Sequence, residues 1–361
     1  MKEFFKFVFA SMVGVILSFF IIFVLLIGII IATISMAGKD TKAEVSKNSI
    51  IHISLGYPIP ERTSKNPLSN LGLFDFDSKK TLGLNDILAS INKAKTDDNI
   101  TGIYLDVSSM GSGLATTEEI RNALLKFKQS GKFIIAYSEI YTQGAYYLAS
   151  VADKVYLNPE GIIDFRGFSS QISFFKGTLD KLEIEAQIIK VGTYKSAVEP
   201  FILDKMSEPN RLQVTSFLGS LYDHFLTKIS QSRKIPKDSL FSIANNGKVR
   251  NAKDAITYKL ADGLRYKDQV LDELKSRTGI DKKKDVNAVK LEEYPSEDEE
   301  KSSDNRIALV YASGEITGGE GDDATMGSER ISRAIRKART NDKIKAVVLR
   351  INSPGGSAVA S

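Results

Sequence analysis

The stretch KTDDNITGIYLDVSSMGSG, Lys95 to Gly113, aligns without a gap on RTNDKIKAVVLRINSPGGS, Arg339 to Ser357. Six of the nineteen positions are identical: Thr96/Thr340, Asp98/Asp342, Ile100/Ile344, Leu105/Leu349, Ser109/Ser353 and Gly111/Gly355. In each copy a charged helix end precedes an apolar strand, and a glycine-bearing turn follows it. A chain of this kind contains one unit twice, which restricts it to folds that can be repeated in tandem. The second copy has only just passed its turn at residue 361, so chemistry that draws on both copies is expected to be incomplete in these residues.

With 42% hydrophobic and 26% charged residues, 361 positions suit about two domains with ordinary cores. The formal charge of +5 is not gathered into a basic block with interleaved aromatics, which argues against nucleic acid as a partner. The absence of cysteine excludes disulfides, thiolate catalysis and zinc-cysteine sites. His52 and His224 are the two histidines, far apart in sequence and in strand-like and helix-like contexts. Both read as structural, and neither a Ser-His-Asp triad nor a histidine metal cluster is expected.

From Phe7 to Gly38 the chain carries no charge and is dominated by Phe, Ile, Leu and Val. That run exceeds both the roughly 20 residues needed to cross a hydrocarbon core as a helix and the roughly 7 to 15 of a signal-peptide apolar region. An uncleaved membrane anchor is predicted. Lys2 and Lys6 face Lys39, Lys42 and Lys47 across it, so charge leaves the orientation undecided.

Beyond the anchor, periodicity predicts a strand at Ser49–Leu55 and a loop or excursion at Tyr57–Lys80. A helix follows at Leu84–Ala94, then a strand at Ile100–Val107, a helix at Thr116–Lys128 and a short strand at Phe133–Tyr137. Tyr146–Val151 reads as helical, Lys154–Leu157 as a strand, Leu212–Ser230 as a long amphipathic helix and Ile256–Gly279 as mainly helical. Strands alternating with helices argue for parallel pairing through right-handed crossovers, hence an α/β fold. Between Asp281 and Asn305 charge is dense and apolar residues are few, which reads as an exposed linker or, alternatively, a solvated edge strand and loop. The second copy then offers a strand at Ile307–Tyr311, a Gly/Asp-rich loop, a helix at Ser328–Arg339 and a strand at Ala346–Ile351. The expected domains are 1–48 for the anchor, 49–280 for the first domain, 281–305 for the linker and 306–361 for the start of the second.

Two segments could carry chemistry. In NSPGGS, Asn352 to Ser357, Pro354 fixes one backbone angle while Gly355 and Gly356 permit a close approach. Their N–H groups could converge as an oxyanion hole; a plain tight turn is the alternative. In KVGTYKSAVEPF, Lys190 to Phe201, Lys195 sits among small and apolar residues, with Glu199 and Pro200 following. A lysine is a general base only when neutral, and desolvation is what lowers its pKa. A surface lysine is the plain alternative, and Ser196 could orient the amine or cap a turn.

GTYKSAVEPF, YTQGAYYLASVADKVYLNP from Tyr141 to Pro159, and LRINSPGG together resemble the bacterial signal peptide peptidase A family in its long, duplicated form. The resemblance runs from the anchor to the last residue. It implies tandem α/β domains of the ClpP/crotonase type behind a single-pass anchor, the second incomplete here, in the inner (cytoplasmic) membrane with the catalytic domains on the periplasmic side. It also implies a homo-oligomer that degrades signal peptides and other short hydrophobic peptides at the lipid bilayer, without metal or cofactor. Lys195 matches the family's general-base lysine, and Gly355 and Gly356 match the glycine turn beside the oxyanion site. The nucleophilic serine belongs to an ASGGY-like segment whose first-copy counterpart is TQGAYY, where Gln143 stands at the serine's position and cannot be a nucleophile. By the repeat offset that serine is expected about 26 residues beyond Ser361. Ser357 and Ser361 precede it. A non-catalytic scaffold or peptide-binding module stays open as an alternative, as does, more weakly, an acyl-CoA enzyme of crotonase fold, against which the anchor argues.

Overall fold

Parallel strands joined through helices build this protein, and the computed structural model describes residues 1–37, 45–63, 81–294, 303–322 and 324–361. After α1 (Lys2–Ala37) come β1 (Ser49–Ile53), α2 (Leu84–Ala94), β2 (Ile100–Asp106), α3 (Leu114–Lys128), β3 (Phe133–Tyr141), α4 (Gln143–Ala149) and β4 (Lys154–Ile163). Two short helices, α5 (Lys176–Lys181) and α6 (Glu199–Ile202), lead into the long α7 (Glu208–Arg233). Then follow α8 (Lys237–Asn245), α9 (Ala252–Thr257), β5 (Gly263–Leu264), α10 (Lys267–Thr278) and β6 (Ala288–Lys290). The last part holds β7 (Arg306–Ser313), β8 (Glu315–Thr317), β9 (Thr325–Gly327), α11 (Ser328–Arg339) and β10 (Ile344–Asn352). Two compact units result: a larger one from Val45–Pro58 and Ala94–Leu291, and a smaller one from Met1–Glu44, Ile59–Lys93 and Glu292–Ser361.

In the larger unit six strands pair in the order β5-β4-β3-β2-β1-β6, every pairing parallel. Ile103, Tyr104 and Leu105 are consecutive and all buried, as expected of a strand covered on both faces. Buried tyrosines complete the core without orphaned hydroxyls where a carbonyl is in reach: Tyr146 Oη donates to Leu260 O at 2.9 Å and Tyr141 Oη to Tyr156 O at 3.1 Å. Arg121, only 1% exposed, joins α3, α4 and α7. Its guanidinium donates to Tyr147 O, Lys228 O and Ser232 Oγ and lies 4.9 Å from the centre of the Tyr147 ring, which compensates the burial of a charge.

The repeat is present in strand register. In the larger unit β1 and β2 pair as Ser49↔Ile100, then Ile50↔Gly102 through Ile53↔Leu105, with an irregularity after the first pair. In the smaller unit β7 and β10 pair as Arg306↔Ile344, then Ile307↔Ala346 through Val310↔Leu349, with the irregularity at the same place. The offset is 257 along the first strand and 244 along the second, so the first copy carries 13 more residues between its two strands.

The helix read at Leu84–Ala94 has those bounds. β3 and β4 run further than predicted, because a bulge between Ser138 and Ile140 lets pairing resume at Ile140↔Ile162 and Tyr141↔Ile163. The Ser138 hydroxyl makes that bulge, donating to Ile140 O at 2.7 Å and accepting from Ile140 N at 3.2 Å. The stretch read as mainly helical, Ile256–Gly279, is split: β5 pairs with β4, and α10 starts after it and ends on Gly279 at φ 70°. Within the charged stretch after Asp281, β6 pairs with β1 and buries Val289 at the sheet edge. The excursion expected up to Lys80 lies outside the described residues from 64 onward, as does 295–302 of the linker and Gly38 of the anchor run. In α1, Glu3–Gly28 contains an 18-residue window with a mean hydropathy of 2.9, and the helix is long and apolar enough to cross a membrane. In the smaller unit β7 and β10 form a two-stranded parallel sheet that leaves Ile307, Leu309, Val347, Val348, Leu349 and Ile351 exposed.

Candidate functional site

Lys195 lies in the larger unit, on a turn between α5 and α6. Gly192, at φ +98°, reverses the chain and accepts from Lys195 N at 3.5 Å; Ser196 O in turn accepts from Glu199 N at 3.0 Å. These two turns place Lys195 in an open groove of about 800 Å³. Val191, Thr193 and Tyr194 form one wall, and Leu212, Gln213, Ser216 and Phe217 of α7 form the other. Val191, Tyr194, Leu212 and Phe217 are all exposed, so the walls are apolar but wet. Lys195 itself is exposed, and the dry surroundings that its composition permits are not formed by this segment. Ser196 Oγ turns back to Tyr194 O at 3.4 Å.

Glu199 is the opposite case, a carboxylate only 1% exposed. It accepts from Ser207 Oγ at 2.5 Å, Ser207 N at 3.2 Å and Asn210 Nδ2 at 2.8 Å. Ser207 is also the N-cap of α7, taking Asn210 N at 3.3 Å, and Pro209 fits the first turn. Burial raises the Glu199 carboxyl, and the bonds from Ser207 and Asn210 outweigh it, holding it below the ordinary carboxylate value. The cluster is therefore at full strength above that ordinary value and weakens as the pH falls through the lowered one.

The glycine turn lies in the smaller unit. Gly356 bridges Ile316 in parallel fashion: Ile316 N donates to Gly355 O and Ser357 N donates to Ile316 O, both at 3.0 Å. A Cβ on Gly356 would stand 2.3 Å from Ile316 O, whereas one on Gly355 would meet nothing within 4 Å. Gly355 is required for its φ of +106° instead. The two glycines thus answer different demands. Gly355 N donates to Ser353 Oγ at 3.1 Å, so of the two N–H groups predicted to converge this one is already engaged. Glu61, ahead of α2 in the same unit, takes Arg350 Nε at 2.5 Å and Asn352 Nδ2 at 3.0 Å, fixing the strand end from which the turn departs.

The first copy's turn shows which glycine is equivalent. There Gly111 bridges Pro58, and its Cβ would lie 2.0 Å from Tyr57 O. Sequence alignment sets Gly111 against Gly355, but its structural counterpart is Gly356, one residue on in both strands. Gln143 follows the N-cap Thr142 as the first residue of α4, and its Oε1 accepts from Arg166 N at 3.3 Å. Ser357 and Ser361 are exposed; Ser361 N donates to Ser357 O at 3.1 Å, and Ala360 N to Ser357 Oγ at 3.3 Å. Lys195 belongs to one unit and the glycine turn to the other. Sequence reasoning passed over Glu61 and treated Glu199 only as a neighbour of Lys195. An acidic residue between Val198 and Pro200, the one charge from Ser196 to Leu203, was the available signal for Glu199; Glu61, among other charges, offered none.

Residues 126–281 match Peptidase family S49, a span that includes Gln143 and Lys195 and stops short of the glycine turn. The chain is similar to Protease 4 of Salmonella typhi, 36% identical over 360 residues, which is 96% of this chain and 58% of that protein. Protease 4 of Haemophilus influenzae is 34% identical over 364 residues, again 58% of its length. The chloroplastic serine protease SPPA of Arabidopsis thaliana is 31% identical over 290 residues, 78% of this chain and 42% of that protein. The chain thus spans between about two fifths and three fifths of the length of these relatives.

The different demands on the two glycines are open to test. Gly355→Ala should cost about 1–3 kcal/mol of local stability through backbone strain alone. Gly356→Ala should cost more, because it must also break the bonds to Ile316. Amide exchange at Ser357 should therefore accelerate at least tenfold more in Gly356→Ala than in Gly355→Ala; equal exchange in the two variants would count against this division.

Proposed function

The chain belongs to the signal peptide peptidase A family within Peptidase family S49, and on that premise we propose that it supplies the general base of a membrane-anchored serine endopeptidase. Its substrates on this reading are short hydrophobic peptides, cleaved signal peptides among them. The observation that carries the reading is the placement of Lys195 in a groove with apolar walls, inside the stretch that matches the peptidase family. Apolar side chains exposed on both sides of an amine suit an apolar peptide, and a bound peptide would exclude water from that amine.

In the proposed reaction the neutral Lys195 amine takes the proton of a serine hydroxyl as its oxygen attacks the scissile carbonyl. Backbone N–H groups, among them those of Gly355 and Gly356, hold the tetrahedral oxyanion; the Gly355 group would first leave Ser353 Oγ. The lysinium then protonates the leaving amine. In the second half Lys195 takes a proton from water, whose oxygen attacks the acyl carbonyl; the ester bond to the serine breaks, the lysinium returns the proton to the serine oxygen, and the peptide acid leaves. The nucleophile is placed beyond residue 361. The first copy taken alone is read as non-catalytic, because Gln143 stands where a nucleophile would be and its amide oxygen is committed to Arg166 N. The same reading keeps the domain limits 49–280 and 306–361, a single-pass anchor in the inner membrane with the domains on the periplasmic side, and assembly into a homo-oligomer.

For the anchor, α1 should hold the protein in the membrane pellet after carbonate extraction with its amino terminus intact; a soluble product beginning near Lys39 would refute this. The 361-residue chain by itself should not react with a fluorophosphonate, and stoichiometric labelling at Ser357 or Ser361 would show that the nucleophile has been misplaced. In the protein that carries the nucleophilic serine, Lys195→Ala should lower turnover by about 10²- to 10⁴-fold. Lys195→Arg should fail almost as badly, since a guanidinium stays protonated at any working pH. Peptide-hydrolysis kinetics with circular dichroism as a folding control decide it: a folded Lys195→Arg enzyme with most of its activity removes Lys195 from the mechanism.

A further inference from the structure

From Arg166 to Pro209 the chain has one buried residue, and it is Glu199. Across the same stretch Ile189 is fully exposed, Val191 is 85% exposed, and Leu182, Ile184 and Tyr194 are exposed as well. The segment that carries Lys195 is therefore not held by an apolar core. Burying a carboxylate is costly unless its oxygens are fully bonded, and those of Glu199 take three hydrogen bonds from the start of α7. Both walls of the Lys195 groove meet at this cluster. One wall is the turn from Val191 to Lys195, which is linked to Glu199 through the bond from Glu199 N to Ser196 O. The other wall is Leu212, Gln213, Ser216 and Phe217, in the turns of α7 that follow Ser207 and Asn210. A second tie, from Phe175 N to Pro200 O at 2.7 Å with the Phe175 and Phe201 rings stacked, secures the far side of α6 to α5 but does not reach α7.

We infer that Glu199 is the positioning residue of the lysine: its buried carboxylate latches the Lys195 turn to the N-terminus of α7 and so sets the width of the groove. The inference rests on the reading of Lys195 as the general base, but the latch itself is a structural claim with its own readout. A carboxylate suits the task better than an amide. Two of its three donors are N–H groups that cannot accept, so in Glu199→Gln the amide oxygen must serve both while the NH₂ faces Ser207 Oγ, which can turn from donor to acceptor; the side chain keeps its size, and losing the charge weakens the latch without abolishing it. Glu199→Ala removes the acceptor altogether.

The test begins with this chain and needs no activity. Limited trypsin digestion reports on the bonds after Lys190 and Lys195. In Glu199→Ala the cleavage rate at these two bonds should rise at least tenfold over wild type, with Glu199→Gln in between, while cleavage elsewhere and the circular dichroism stay as they were. Glu199→Gln serves for the comparison if the alanine variant does not fold. Unchanged cleavage at Lys190 and Lys195 in a folded variant overturns the latch, whatever Lys195 does. In the protein that carries the nucleophilic serine, Glu199→Ala should lower kcat by about 10- to 100-fold, the scale of loss from misplacing a catalytic group by about 1 Å. KM should change by less than threefold, and a loss confined to KM overturns the positioning role. Lys195→Ala is the parallel control. If that variant keeps its turnover, the base assignment fails while the cleavage rates still decide the latch.

Discussion

Parallel pairing is the constraint from which the rest of this architecture follows. Two parallel strands cannot be joined by a tight turn, so every adjacent pair needs a crossover, and every strand delivers its chain to the same edge of the sheet before the chain turns back. β1 with β2 in the larger unit and β7 with β10 in the smaller obey this in the same register, down to the irregularity after the first pair. In both, a glycine bridge crosses just past the strand ends, Gly111 to Pro58 and Gly356 to Ile316. Close backbone approach at that place is a property of the repeated unit and not of either copy. What differs is the decoration: the second copy adds Pro354 and a second glycine, and the first has Met110 and Ser112 in their place.

Two kinds of cohesion coexist in the larger unit. The sheet and the helices α3 and α4 are held by apolar burial, and the guanidinium buried among them, that of Arg121, is received by two carbonyls and a hydroxyl. The Lys195 segment has no apolar core: a polar cluster at Glu199, Ser207 and Asn210 ties it to α7, and the bond from Phe175 N to Pro200 O with the stacked Phe175 and Phe201 rings ties it to α5. Apolar burial is non-directional and tolerates repacking, whereas a bonded carboxylate fixes distances and angles at the cost of a steep dependence on each partner. A segment that must present an amine at a defined place while leaving its surroundings open to a ligand is better served by the second kind.

The elements legible in the sequence are those whose burial is periodic or continuous. Leu84–Ala94 presents an apolar helical face, and Ile100–Asp106 is an apolar run, so both could be read from composition. The far ends of β3 and β4 could not, because Glu139, Asn158, Pro159 and Glu160 look like loop residues, and only the Ser138 bulge restores pairing beyond them. Lys195 was legible as a candidate because its motif resembles a family's. Its exposure was not, since a stretch of small and apolar residues reads as buried and here lies on the surface. The exchange of Gly355 for Gly356 as the counterpart of Gly111 shows the limit of an ungapped alignment: the residues match, but the bridge falls one position later.

The 13 residues by which the first copy's connection exceeds the second have a consequence for how the two copies can diverge. That longer connection contains Glu61, which grips Arg350 and Asn352 at the foot of the second copy's glycine turn. The compact unit around that turn is therefore assembled from chain on both sides of the larger unit. Splitting the gene at the charged stretch after residue 281 would not yield two self-sufficient halves, because the later half would lose a clamp encoded more than two hundred residues upstream. Glu61, Arg350 and Asn352 belong to one compact unit, so a change of length in the first copy's connection is felt at the second copy's turn.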